Sequence, residues 1–171
     1  MADEHGLHGG VKFPSVKLKR HFERAHTDSA TRDSILDEAL VGHLAVVLDG
    51  FPAVIPTTYA RVGEVLFIHG SSKNRAMRMA VGNPACFEVT ILDGLVYAAS
   101  AFNHSMNYRS VVVYGIPELI EGEAQKSSGC DEPGVRSIME AGTGSAERLR
   151  RVVLRCRSWR QTPGSSLDQA R

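Results

Sequence analysis

The spacing of apolar residues changes at Gly42. Before it, Ile35, Leu36, Ala39 and Leu40 fall on one helical face. Asp28 or Ser29 supplies the residue type that caps a helix start, and Gly42 sits where a C-terminal glycine belongs. After Gly42 the runs become short and β-like. HLAVVLD and FPAVIPTTYA flank Asp49-Gly50, a strong hairpin dipeptide. Arg61-Val62-Gly63-Glu64 reads as the next turn, and EVLFIHG as a third strand. CFEVTIL and LVYAASAF flank Asp93-Gly94, which predicts a second hairpin, and YRSVVVYGIPELI is a sixth run. Residues 43–120 therefore hold six predicted strands, with one short helix between the third and the fourth.

Several of these runs are continuously apolar. Either both faces are buried, or one meets a core and the other a partner. Closing a small sheet into a barrel removes its exposed edges. The chain ends read differently. Residues 1–27, with the dense VKLKRHFERAH, read as a solvated arm or one that packs on a partner subunit. From residue 122 the chain is rich in Gly, Ser and Arg, the composition of a disordered or loosely docked tail. One amphipathic helix is predicted there, in AERLRRVVLRC. The organisation expected is an arm over 1–27, a β domain over 28–121 and a tail over 122–171.

Composition narrows the class only a little. A chain of 171 residues suits a single domain. A net charge of +1 makes no general case for nucleic acid or an anionic membrane. No apolar run reaches the length of a membrane-spanning helix, about 18 residues or more. MADEHGLHGG lacks the apolar stretch of a secretory signal, so a cytoplasmic location is expected. Cys86, Cys130 and Cys156 are too scattered for a disulfide framework or a zinc site, and Cys86 lies in an apolar run as an inert thiol. The histidines lack metal-ligand spacing, so no metal is expected.

Three stretches carry candidate chemistry. In IHGSSKNRAMRMAVGNPACF, small hydroxyl residues and three cations lie between two strands. Ser71 and Ser72 sit where a short helix would begin, and Arg75 and Arg78 are three apart on one face. Arginine grips phosphate through two parallel hydrogen bonds, so the stretch suits an anion; a capped surface helix explains the same residues. In Ile55-Pro56-Thr57-Thr58-Tyr59 a proline interrupts a strand, which marks an edge or bulge and frees backbone groups for a planar ligand. Ser100 to Ser110 is a polar, donor-rich break in which His104 is a candidate acid or ligand contact, or a loop histidine without chemistry. No GxSxG, P-loop or GxGxxG motif is present.

Taken in order, GHLAVVLDGFPAVIPTTYA, EVLFIHGSSKNRAMRMA and NPACFEVTILDGLVYAASAFNHSMNYRSVVVYG resemble the pyridoxamine 5′-phosphate oxidase-like family. The resemblance is stronger to its flavin-nucleotide-binding branch, which includes nitroimidazole-resistance proteins. It covers residues 17–120. It implies a mainly β fold, a six-stranded split β-barrel with short helices, working as a homodimer with FMN between subunits. Ile55, Pro56, Thr57 and Thr58 would line the isoalloxazine ring, and His69, Gly70, Ser71 and Ser72 would approach the ribityl chain and phosphate. The family's basic position falls on Ala76, so the phosphate role passes to Arg75, with Arg78 second. The segment from Ser105 to Ser110 would approach the flavin, and His104 and Tyr108 are the candidates for catalysis. The implied function is a flavin-dependent oxidoreductase of unidentified substrate; a non-catalytic flavin module and an inactive family member are the alternatives. The tail after residue 122 departs from the family's pattern, as a shifted reading frame would make it.

Overall fold

The computed structural model describes residues 7–8, 11–14, 28–71, 73–120, 149–155 and 158–163. Of residues 7, 8, 12, 69, 101 and the two strands beyond residue 148, only the backbone is described. Most of the expected arm, and residues 121–148 of the expected tail, lie outside the described residues.

Helix α1 spans Ser29–Glu38. Asp28 caps it, its side chain accepting from Thr31 N at 2.8 Å. The helix buries Ile35 and Leu36, but it ends one turn earlier than the apolar spacing suggested. Ala39 is already extended, and Leu40 is 81% exposed. Gly42 is therefore not the helix's C-terminal glycine. It lies inside strand β3, Val41–Leu48, and its role is spatial: a Cβ there would stand 2.2 Å from Phe87 Cζ. Only glycine lets the Phe87 ring lie against this backbone.

The remaining strands are β4 (Phe51–Val62), β5 (Val65–Ser71), β6 (Ala85–Val96), β7 (Ser105–Gly115), β8 (Pro117–Leu119), β9 (Leu149–Arg155) and β10 (Ser158–Pro163). Helix α2, Arg75–Ala80, joins β5 to β6. A separate two-stranded ribbon pairs β1, Leu7–His8, with β2, Val11–Lys12. The main sheet has the order β10-β7-β6-β3-β4-β5-β9-β8, and its neighbouring strands pair antiparallel. One residue, Ile116, separates β7 from β8, yet the two stand near opposite ends of that order. Chain continuity therefore brings the ends together, and the sheet curls into a split barrel.

Three details differ from the expected strands. Asp93-Gly94 is no hairpin turn: β6 runs through it, with a register shift between Leu92 and Gly94, and pairs on to Val96↔Ser105. The loop before β7 therefore falls at residues 97–104. The sixth run breaks at Pro117, whose ring cannot donate to a ladder, and the chain changes neighbours there. Leu149–Arg155 is a strand paired with β5, where a helix was expected, so cross-strand pairing overrides the helical spacing of its apolar residues. Among the described residues the sheet has eight strands, where six were expected.

The core joins Ile35 and Leu36 of α1 to Leu44, Val46, Leu66, Ile68, Phe87, Val89, Val111 and Val113 of the strands, and to Ala76, Met77 and Ala80 of α2. Tyr59 meets the Phe87 ring edge-to-face at 5.0 Å and donates its hydroxyl to Leu36 O at 2.6 Å. Burial pushes that phenol well above its ordinary range, so it stays a donor. The Cys86 thiol is likewise pushed up by burial, which suits an inert side chain.

Candidate functional site

The barrel opens along β4. From Phe51 to Thr58 this strand pairs with β3, and from Tyr59 to Val62 it also pairs with β5. Beyond Ile68, β5 keeps only β9, through His69↔Arg151, Gly70↔Arg150 and Ser71↔Leu149. Among the described residues, β4 before Tyr59 and β5 after Ile68 therefore face each other's direction without a ladder. This is the split.

The register decides what the β4 lip presents. Leu48↔Phe51 closes the two-residue turn Asp49-Gly50, so Phe51, Ala53, Ile55 and Thr57 turn their backbone groups to β3. The alternate residues, Pro52, Val54, Pro56 and Thr58, turn theirs to the split. Both prolines thus stand where an N–H would have no ladder partner. The lip offers carbonyls at all four positions and N–H groups at Val54 and Thr58. The Thr58 carbonyl accepts the Thr57 hydroxyl at 3.1 Å. Ile55 and Thr57 are half-buried, and Pro56 and Thr58 are exposed.

The opposite wall is the end of β5 and the start of α2. Gly70 is tightly placed, since a Cβ there would meet Met77 Cγ at 3.1 Å. Ser71 is exposed, and its Oγ accepts from Lys73 N at 3.2 Å; Ser72 lies outside the described residues. Asn74, missed by the sequence reading, caps α2: its Oδ1 accepts from Ala76 N at 3.0 Å and Met77 N at 3.3 Å. Two of the N–H groups at this helix start are therefore already used. An Asn before RAMRMA is a cap signal that could have been read. Arg75 is exposed and its Nη2 pairs with Asp49 Oδ1 at 2.6 Å, while Arg78 is exposed in the last turn. Asp49 is a second residue that the sequence reading missed. Residues 65–87 contain no Asp or Glu, so Lys73, Arg75 and Arg78 make this wall positive.

The structure does not bring the third stretch to this wall within one chain. β7 stands three places from β4 in the sheet, roughly 14 Å at ordinary strand spacing. Ser105 is exposed opposite Val96, and Ser110 is buried between Thr90 and Thr162. Tyr108 is half-buried opposite Leu92. His104 lies in hydrogen-bond range of Ala98 O, 3.1 Å from its Nε2, and meets Tyr97 edge-to-face at 5.5 Å.

Arg109, within the same stretch, is spent on structure. Its guanidinium donates to Glu38 at 2.8 and 2.9 Å and to Asp93 at 2.8–3.0 Å, tying the end of α1 to the bulge of β6. These bonds hold both carboxyls below their ordinary range and raise the arginine. A carboxyl with a lowered folded pKa stabilises fully above its unfolded value and less as pH falls through the folded one. We therefore expect the Tm to fall as pH drops below the ordinary carboxylate range, and to fall less steeply in Arg109→Leu. Equal slopes in thermal melts across pH would show that this cluster contributes nothing. Among the described residues, no group of three His, Cys, Asp or Glu could hold a metal ion, and no helix is long and apolar enough to cross a membrane.

A barrel that splits along a proline-bearing strand, with a cationic wall opposite, defines a class of small β proteins. Within that class the chain belongs to the family described as pyridoxamine 5′-phosphate oxidase, whose model matches residues 28–162 and so includes both C-terminal strands. The flavocytochrome Anf3 from Azotobacter vinelandii is similar at 29% identity and a TM-score of 0.75, over 88% of this chain and 74% of that one. An FAD and heme binding protein from Mycobacterium smegmatis is similar at 27% identity and a TM-score of 0.72, over 84% and 74% of the two chains. A protein assigned to 5-nitroimidazole antibiotic resistance in Bacteroides thetaiotaomicron shares the fold at 18% identity and a TM-score of 0.62, over 80% and 84%. No curated protein matches the chain.

Proposed function

We propose that the chain binds a flavin nucleotide, FMN, in the split and works as a flavin-dependent oxidoreductase. One observation carries this reading: a β4 lip of alternate backbone groups, without a ladder among the described residues, faces a wall whose own stretch, residues 65–87, has three cations and no acid. A planar ring with polar edges fits the lip, and a phosphate fits the wall. Ile55 to Thr58 would hold the ring. His69, Gly70, Ser71 and Ser72 would take the ribityl chain, and Arg75, with Arg78 one turn on, the phosphate. When bound, the flavin supplies the electron transfer, and the protein supplies binding, orientation and exclusion of water. His104 and Tyr108 stand away from the split within one chain, so they would move a proton near it only from a second copy.

The same reading assigns a homodimer. The side chains of Val41, Val47 and Val54, on one face of the β3–β4 hairpin, are 47–62% exposed, and Leu40 before it is 81% exposed. A second copy would cover such a patch. It would also supply Ser105 to the split, since β7 of the same chain stands away from it, whereas Ser110 is buried in its own sheet.

The similarity to a flavocytochrome and to an FAD and heme binding protein favours a second reading, FAD in place of FMN, with heme besides. One preparation separates these readings. The visible spectrum of the desalted protein, with and without added FMN or FAD, is expected to show the paired flavin bands. Chromatography of an acid extract then identifies the nucleotide, and a Soret band would reveal heme. A colourless protein that ignores both nucleotides overturns the flavin reading. Bound flavin that a reduced nicotinamide nucleotide fails to reduce, with no acceptor turned over, favours the binding module.

A further inference from the structure

We propose that Asp49 sets the affinity of the split for phosphate-bearing ligands by competing for the Arg75 guanidinium. The inference rests on the reading that Arg75 takes the phosphate. Asp49 belongs to the β3–β4 turn, and Arg75 opens α2 on the other side of the split; they lie 26 positions apart and meet at 2.6 Å. The stretch that holds Arg75 has no acid of its own between residues 65 and 87, so the carboxylate comes from a different element.

The turn geometry delivers it there. Asp49 and Gly50 both have positive φ, 51° and 82°, as a two-residue hairpin turn of this hand requires. The contact engages Nη2 of Arg75. A phosphate gripped through two parallel N–H bonds uses either Nη1 with Nη2 or Nε with Nη2, and Nη2, which Asp49 holds, belongs to both edges. A carboxylate left beside a bound phosphate would also repel it. Phosphate and Asp49 are therefore alternative partners of one cation. Both side chains are more than half exposed, at 58% and 65%, so the pair is weak and readily exchanged. A contact that a ligand must break lowers its apparent affinity by the fraction of molecules making that contact.

The test compares wild type, Asp49→Asn, Arg75→Ala and the double variant, titrated with FMN and with riboflavin, which carries the same ring without a phosphate. Asparagine tolerates the left-handed turn position, and thermal melts check that the fold is kept. Asp49→Asn is expected to bind FMN about two- to fivefold more tightly, the scale of an exposed ion pair, and riboflavin unchanged. The gain should vanish in the Arg75→Ala background. If Arg75→Ala weakens FMN while Asp49→Asn leaves it unchanged or weaker, the competition is overturned and the phosphate reading stands. If Arg75→Ala changes nothing, or wild type binds no FMN, the phosphate reading itself fails, and the inference with it.

Discussion

Phe87→Ala is expected to lower the stability of the protein by about 3–5 kcal/mol, the cost of emptying a large aromatic site in a core. The ring is 0% exposed. It packs edge-to-face on Tyr59, whose hydroxyl is held by α1, so the cavity has walls anchored on two elements. The converse change is also unfavourable. Gly42→Ala would drive a methyl to 2.2 Å from Cζ and 2.5 Å from Cε1, and a ring with no free space cannot move aside. Overpacking of this kind costs about 1–3 kcal/mol. The two changes should not add. In the double variant the methyl added at position 42 enters space that the ring has left, so the loss is smaller than the sum. Urea denaturation of the four proteins measures this coupling. Strict additivity would mean that the ring does not rest on the backbone of Gly42.

Arg75→Ala is expected to weaken FMN binding by about 1.5–3 kcal/mol, the range of a charged hydrogen bond, while riboflavin binding hardly changes. The reason is what the wall lacks. Asn74 already occupies the N–H groups of Ala76 and Met77, so the helix start has little left to give an anion. Charge must then come from side chains, and Arg75 is the first cation on α2 beyond the β5 end. Arg78, one turn further along, should matter less. Fluorescence titration of both variants ranks them. An Arg75→Ala protein with wild-type FMN affinity would put the phosphate elsewhere.

Much of the local structure was legible because it depends on neighbours in sequence. The Asp28 cap, the Asp49-Gly50 hairpin and the strands over HLAVVLD, FPAVIPTTYA and EVLFIHG all stand. The errors share a cause. Asp93-Gly94 has the chemistry of a turn, but Arg109 from the partner strand holds Asp93, and the ladder continues past it. Gly42 has the chemistry of a helix end, but the space is taken by a ring 45 residues away in the chain. Leu149–Arg155 has helical spacing, but the open edge of β5 accepts it as a strand.

The candidate site divides in the same way. The amino-acid sequence by itself determined the family pattern, the positions of the prolines on β4 and the acid-free run of cations from Lys73 to Arg78. These depend on residue type and order alone. Only the tertiary structure decided that Pro52 and Pro56 turn to the side of β4 that has no ladder among the described residues, that Asn74 uses two of the helix donors, that Arg109 is committed to two carboxylates and that Asp49 meets Arg75. Each of these follows from pairing register or from contact across many residues. Local propensity carries no record of such contacts, because their free energy appears only when distant elements pack.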